Sequence, residues 1–190
     1  MIVLASSSPR RHQLLEMLGI EHIVDPANIE EELSPGESAE RLAVRLAHEK
    51  AATVASRHRG RVVLSADTLV VLGTEILGKP ESPLEARQML LRLAGREHKV
   101  VTAVAAAYDG TIWDRCDVTR VWFRPLTEAM IDAYVSTGES MDKAGSYGVQ
   151  GYGAVLVDRI EGDFFGVMGL PLRLVVELLE EVGMPYRFTR

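Results

Sequence analysis

The chain has 190 residues, of which 47% are hydrophobic and 25% charged, with a net charge of −6. This is the balance of a soluble globular protein long enough to bury a core. The charge excludes a global basic field for duplex nucleic acid, no apolar run reaches the ~20 residues of a bilayer span, and one cysteine, Cys116, excludes an internal disulfide framework. The N-terminus lacks the basic-then-apolar layout of a signal peptide, so one cytoplasmic domain over residues 1–190 is expected.

A short apolar strand, Ile2 to Ala5, leads into Ser6-Ser7-Ser8-Pro9-Arg10-Arg11. Ser8 suits an N-cap, Pro9 the first helical position, and Gly19 the stop beyond Leu14, Leu15 and Leu18. Arg10 and Arg11 then fall in the first turn, where the helix macrodipole disfavours cations. Amides, hydroxyls and guanidinium groups converge there, and a phosphate would relieve the conflict. Arginines splayed into solvent are the alternative.

A polar connection, Asp25 to Glu37, carries the acidic run Glu30-Glu31-Glu32. The next helix runs from about Ser38 to His58, with Leu42, Ala43, Leu46, Ala47 and Val54 on its core stripe. Lys50 falls in the middle of that stripe, where a lysine must snorkel or meet an anion. Arg61 to Leu64 reads as a buried strand, and Leu69 to Leu72 with Ile76-Leu77 as a hairpin around Gly73-Thr74-Glu75. Between the two apolar runs, Asp67-Thr68 is either an ordinary turn or a carboxylate presented at a strand end as base or metal ligand. A hard divalent cation suits Asp67 together with one glutamate of the acidic run. Lys79 occupies the restrained turn Gly78-Lys79-Pro80.

Ser82-Pro83-Leu84-Glu85 is a capping box that starts a helix ending at Gly95. Val100 to Tyr108 and Thr111 to Phe123 form a long hairpin around Asp109-Gly110, which makes the sheet mixed. Thr127 caps a short helix that stops at Gly138. The glycine-rich stretch Asp142 to Gly151 suits a loop that brings backbone close to a ligand, and Gln150 can both donate to and accept from a base edge. A flexible connection is the other reading. A strand from Ala154 to Ile160 and a helix from Pro171 to Val182, stopped by Gly183, complete an α/β pattern. There is no zinc spacing, Walker motif or nucleophile elbow. His12, His22, His48, His58 and His98 read as surface or helix-face residues, and Cys116, in an alternating strand, has no expected chemistry.

Seven pieces stand in one order along nearly the whole chain: LASSSPRR, IEEE, RLAHEKA, SADT, GKP, DKAGSYGVQG and GLPL. Together they resemble the Maf family of nucleoside triphosphate pyrophosphatases. The resemblance implies an elongated mixed β-sheet flanked by helices, in two lobes with a central cleft, related to inosine-triphosphatase-like enzymes. It implies hydrolysis of a nucleoside triphosphate to the monophosphate and pyrophosphate with Mg²⁺ or Mn²⁺, by a homodimer. Asp67 then matches the general base and Glu31 a polar site residue of the acidic motif; the chemistry of the residues themselves adds Glu31 as a second metal contact beside Asp67. Ser6 and Arg10 match the phosphate-binding helix start, and Lys50 and Lys79 the polar site residues. The subfamily that prefers 7-methyl-GTP has Trp after the proline, Gln after the aspartate and Glu in the glycine-rich loop. Arg10, Thr68 and Gln150 instead match the dTTP/UTP type, and Thr68 and Gln150 would choose the base.

The charges agree. A triphosphate carries about four negative charges, and Arg10, Arg11, Lys50, Lys79 and Lys143 supply local cations in an acidic chain. Two other readings stand beside this one: a nucleotide- or nucleic-acid-binding regulator of cell division without turnover, and a phosphatase releasing orthophosphate. The net charge disfavours nucleic acid as a partner, and a membrane is not expected.

Overall fold

A computed structural model describes residues 1–32, 34 and 36–188, so Leu33 and Pro35 of the polar connection lie outside the described residues. Seven strands form one mixed sheet: β1 (Ile2–Leu4), β2 (His22–Val24), β3 (Val63–Leu72), β4 (Glu75–Leu77), β5 (Glu97–Tyr108), β6 (Thr111–Phe123) and β7 (Val157–Glu161). The order is β2-β1-β3-β5-β6-β7, with β4 paired to β3. β1 lies parallel to both β2 and β3, whereas β3 with β4 and β6 with β7 are antiparallel. Asp109 and Gly110 both have positive φ between β5 and β6, as an Asp-Gly hairpin turn requires. The helices are α1 (Pro9–Met17), α2 (Ala39–Ala55), α3 (Pro83–Leu93), α4 (Glu128–Ser136), α5 (Phe164–Met168) and α6 (Leu172–Glu181).

Local signals account for most element boundaries. The Ser38, Ser82 and Thr127 side chains accept from Arg41, Glu85 and Met130 amides at the starts of α2, α3 and α4. In the α3 box Glu85 reaches back to the Glu81 amide at 2.7 Å, one residue before the cap. α1 ends in a Schellman motif: Gly19, at φ 67°, donates to the Glu16 carbonyl and Ile20 to that of Leu15.

Four expectations need correction. Ser8 has the extended backbone of an N-cap but makes no side-chain cap bond; its amide donates instead to Ser6 Oγ at 3.2 Å, a local serine turn. Residues 63–72 form one continuous strand with no turn at Asp67-Thr68, because the polar groups of Ser65 and Asp67 find partners on α2. The strand expected from Ala154 begins only at Val157; a 3₁₀ turn over Gly151–Leu156 precedes it, held at its start by a carboxylate that accepts the Tyr152 and Gly153 amides. His98 is not a surface residue but a core residue, 2% exposed.

The chain divides into two compact units. The first comprises Met1–Asp67, Thr102–Asp117 and the segment from Gly169; the second comprises Thr68–Val101 and Val118–Met168. The first unit buries Leu4, Leu15, Leu46, Leu64 and, from α6, Leu174, Val175 and Leu178. These are the apolar positions that helical and strand periodicity predicts. The core of the second joins Val70, Leu90, Leu93, Val121, Phe123, Ile131, Tyr134, Tyr147 and Leu156.

His98 packs edge-on against Phe123 and Tyr147 in that second core, with ring centroids 5.0 and 5.3 Å away. Its Nε2 shares a 2.8 Å hydrogen bond with the Tyr147 hydroxyl, and its Nδ1 has no hydrogen-bond partner among the described residues. Burial pushes its pKa down from 6.5 to about 4. The folded state therefore keeps a neutral imidazole while the unfolded chain takes up a proton below pH 6.5. Stability should fall by up to about 3 kcal/mol as the pH drops from 6.5 to 4, and no further from this group below that. Urea unfolding across this range should show the loss in the wild type and a smaller one in His98→Leu.

Candidate active site

In the first unit the sequence folds six polar side chains onto the end of β1, the start of α1, the middle of α2 and the end of its part of β3. Ser65 and Asp67 lie on one face of β3, two residues apart. The Ser65 hydroxyl donates to the Ala47 carbonyl of α2 at 2.5 Å, pinning the helix against the strand. One helical turn further along α2, Lys50 then meets Asp67: its Nζ lies 2.7 Å from Asp67 Oδ1 and 2.6 Å from Glu31 Oε1. Lys50 is 9% exposed and Asp67 5%, so this is a buried ion pair, with Glu31 closing it from the solvent side. The anion expected opposite Lys50 is thus two carboxylates of the chain itself.

The segment carrying Glu31 is held to α2 by Arg45. Its guanidinium donates to the Glu32 carbonyl at 2.8 Å, to both Glu37 oxygens at 2.8 and 2.7 Å, and to Glu49 at 3.2 Å. The Arg45 hydrogen bonds hold the Glu37 carboxyl below its ordinary range.

Asp67 uses only one oxygen. Its Oδ2 is buried and has no hydrogen-bond partner among the described residues. A buried, unsatisfied carboxylate oxygen costs stability unless a ligand, water or ion completes it, and such exceptions concentrate where chemistry is done.

At the start of α1, Ser6 Oγ accepts from the Ser8 amide and from Arg11 Nη1, at 3.2 and 3.0 Å. Arg11 Nε donates to the Gly169 carbonyl at 2.8 Å. The GLPL piece therefore supplies an anchor that orients the Arg11 fork. Desolvation lowers the Arg11 pKa and Asp67 raises it, with Arg10 lowering and Glu31 raising it further. A guanidinium stays charged under all these influences. Arg10 sits half-buried in the same first turn. The helix start thus sets Arg11 on the Ser6 hydroxyl, with Arg10 in the same first turn.

Thr68 follows Asp67 in β3 and, by strand alternation, faces the opposite side. The remaining sequence-derived positions lie in the second unit. Lys79 is exposed in its turn, and the Gly78 carbonyl of that turn accepts the Gly145 amide at 3.0 Å, so the GKP turn and the glycine-rich loop are tied together. Gly145, at φ 67°, lies against Val70; a Cβ there would approach Val70 Cγ1 to 2.9 Å, which restricts the position to glycine. Lys143 donates to the Glu139 carbonyl at 2.5 Å and to Asp142 Oδ1 at 2.6 Å, so its ammonium is engaged within the loop. Gln150 is exposed on that loop.

Sequence reasoning missed three contributors: Ser65, the Gly169 carbonyl and Glu139. Only Ser65 left a signal, as a polar residue two before Asp67 in an apolar run. Cys116 is exposed, and its thiol is pushed up to about 11 by desolvation and by Glu40, Asp117 and Asp114, which leaves it unreactive at neutral pH. Among the described residues no helix is long and apolar enough to cross a membrane.

A family model described as Maf-like protein matches residues 1–182. The dTTP/UTP pyrophosphatase of Myxococcus xanthus is 50% identical over 187 residues, covering 97% of this chain and 94% of that protein. The dTTP/UTP pyrophosphatase of Aquifex aeolicus is 47% identical over 183 residues, covering 96% of each. Among solved structures, the Staphylococcus aureus Ham1 protein superposes with a TM-score of 0.46 at 15% identity, over 82% of this chain and 79% of that one.

Proposed function

The chain belongs to the Maf family, and from that premise we propose that it hydrolyses dTTP and UTP to the nucleoside monophosphate and pyrophosphate, with Asp67 as the base that activates water. The observation that carries this reading is the buried pair of Asp67 and Lys50, in which one carboxylate oxygen is fixed and the other is unused. A general base must be oriented and must keep an oxygen open toward the proton it takes. Lys50 orients Asp67 through Oδ1, and Oδ2, buried and without a partner among the described residues, is the acceptor this reading assigns to the attacking water.

The reaction balances simply. The water oxygen bonds to the α-phosphorus while its proton passes to Asp67 Oδ2. The bond from the α-phosphorus to the bridging oxygen breaks, and pyrophosphate departs with that oxygen. Arg10 and Arg11 at the start of α1, with the Ser6 hydroxyl, bind phosphate oxygens and counter the charge that grows on the leaving group. Lys79 and Lys143 are further substrate contacts in this reading. Thr68 and Gln150 discriminate the base.

A divalent cation, Mg²⁺ or Mn²⁺, is part of the proposal. The donors for one would be Asp67 and Glu31, two hard carboxylates now bridged by the Lys50 ammonium, with Asp67 Oδ2 as the unused acceptor; among the described residues no third acidic, histidine or cysteine ligand joins them, so waters and substrate phosphates would complete the shell. Such ions are commonly held by one or two carboxylates, with waters and substrate phosphates completing the shell. When bound, the ion would lower the pKa of a water and neutralise phosphate charge. A cytoplasmic location goes with this reading, since Cys116 is unpaired.

Purified protein should be incubated with dTTP, UTP, CTP and 7-methyl-GTP, with Mg²⁺, Mn²⁺ or a chelator. The expected products are dTMP and UMP with pyrophosphate, and turnover stops on chelation. Nucleoside diphosphate with orthophosphate would overturn the reaction, and preference for 7-methyl-GTP would overturn the roles of Thr68 and Gln150.

A further inference from the structure

The loop that carries Gln150 is organised by a carboxylate with no part in the chemistry above. Glu139 follows α4 in the second unit. Its Oε1 accepts from the Tyr134 hydroxyl at 3.1 Å and from the Gly153 amide at 3.0 Å, and its Oε2 accepts from the Tyr152 amide at 2.9 Å. The Tyr134 oxygen in turn accepts the Gly148 amide at 3.2 Å. One carboxylate and one phenol therefore collect three backbone amides that flank Gln150 on both sides.

Packing leaves this arrangement no slack. A Cβ on Gly151 would lie 2.5 Å from Glu139 Oε2, and one on Gly153 would lie 2.1 Å from the Gly148 carbonyl oxygen. Tyr134 is 5% exposed, and burial holds its hydroxyl well above the ordinary phenol range, so it remains an O–H donor. Three donors converge on Glu139, and only an ionised carboxylate offers acceptors alone to all of them.

We propose that Glu139 is a positioning residue for base selection: through Tyr134 and the amides of residues 148, 152 and 153 it fixes the backbone that presents Gln150. The inference rests on the reading of Gln150 as a base-discriminating residue. In Glu139→Gln the amide nitrogen brings a donor against a donor, so at least one of the three bonds is lost.

The test is a double-mutant cycle of Glu139→Gln and Gln150→Ala, read as kcat and KM for dTTP and dCTP and as equilibrium binding of both nucleotides. Glu139→Gln should raise KM for dTTP about 10-fold, change kcat less than about 3-fold, and cut the dTTP-over-dCTP preference about 10-fold. In the Gln150→Ala background the same substitution should leave the preference unchanged, because the two residues act as one unit. Hydrogen exchange of the amides 148–153 should accelerate in Glu139→Gln, with the α2 amides unaffected. Retained preference in Glu139→Gln, or an equal further loss in the Gln150→Ala background, would overturn the proposal. Should Glu139→Gln fail to fold, Tyr134→Phe removes the phenol link alone and should lower the preference in the same direction. A wild type that turns over no nucleotide sinks the pyrophosphatase reading, and the binding preferences then decide the role of Glu139 independently.

Discussion

Asp67→Asn should lower kcat for dTTP by about 10²–10⁴-fold while the protein stays folded. The asparagine carbonyl can still accept from Lys50 Nζ in place of Oδ1, now at 2.7 Å. Its NH₂ group takes the position of Oδ2, which has no partner among the described residues, so a buried donor replaces a buried acceptor at a similar cost. Lys50 keeps Glu31 as a counter-charge, so the circular dichroism spectrum should be unchanged while the thermal midpoint falls by less than in Lys50→Met. What disappears is the basicity of Oδ2, which the proposed reaction uses to take the proton from water. Pre-steady-state product analysis should show the loss in the chemical step, with dTTP affinity within a few-fold of wild type. Turnover close to wild type would remove Asp67 from the mechanism, whatever the behaviour of its neighbours.

Lys50→Met should be the most destabilising single substitution at the site, by about 3–5 kcal/mol, and should also abolish most turnover. Methionine matches the lysine stem and keeps the core stripe of α2 filled, so packing loss is small. The cost comes from leaving Asp67 buried with neither its counter-charge nor its Oδ1 hydrogen bond, and from releasing Glu31. The double variant Lys50→Met/Asp67→Asn replaces the buried charge with a neutral amide and should recover part of the stability without recovering activity. Urea denaturation of the four proteins separates the two effects. Independent, additive losses would mean that the pair is not energetically coupled.

How legible the site was depends on whether a residue's role is set by its immediate neighbours. The helix start at Ser6 to Arg11 carried its own conflict between cations and macrodipole, and the structure places Arg11 on Ser6 Oγ. Lys50 was conspicuous because a lysine in an apolar stripe demands an anion. The acidic run, by contrast, offered three glutamates, and only the Arg45 contacts to Glu32 and Glu37 and the 2.6 Å approach of Lys50 single out Glu31. Asp67 was conspicuous as a carboxylate among apolar residues, but its setting was misread: the apolar runs on either side suggested two strands with a break. β3 is continuous because Ala47 and Lys50 of α2 satisfy the polar groups of Ser65 and Asp67, and no local rule reports a partner on a distant helix.

Glu139 shows the limit from the other side. Next to Gly138 it looks like an ordinary acidic residue after a helix stop, and nothing within a few positions distinguishes it. Its role arises only when Tyr134, Gly148, Tyr152 and Gly153 are folded around it. The same holds for His98, whose alternation in β5 permits either face until Phe123 and Tyr147 enclose it.

The sequence by itself determined what is encoded within one or two turns: the caps at Ser38, Ser82 and Thr127, the stops at Gly19 and Gly183, the Asp-Gly hairpin, and the two charged residues that did not belong in apolar surroundings. These follow from backbone sterics, hydrogen-bond satisfaction and desolvation, which act on neighbours. Only the tertiary structure decided which oxygen of Asp67 is free, which glutamate closes the Lys50 pair, and which carboxylate holds the Gln150 loop. Those outcomes depend on contacts between residues far apart in the chain, and an ion pair or a shared hydrogen bond is specified by a distance in space that local sequence rules do not contain.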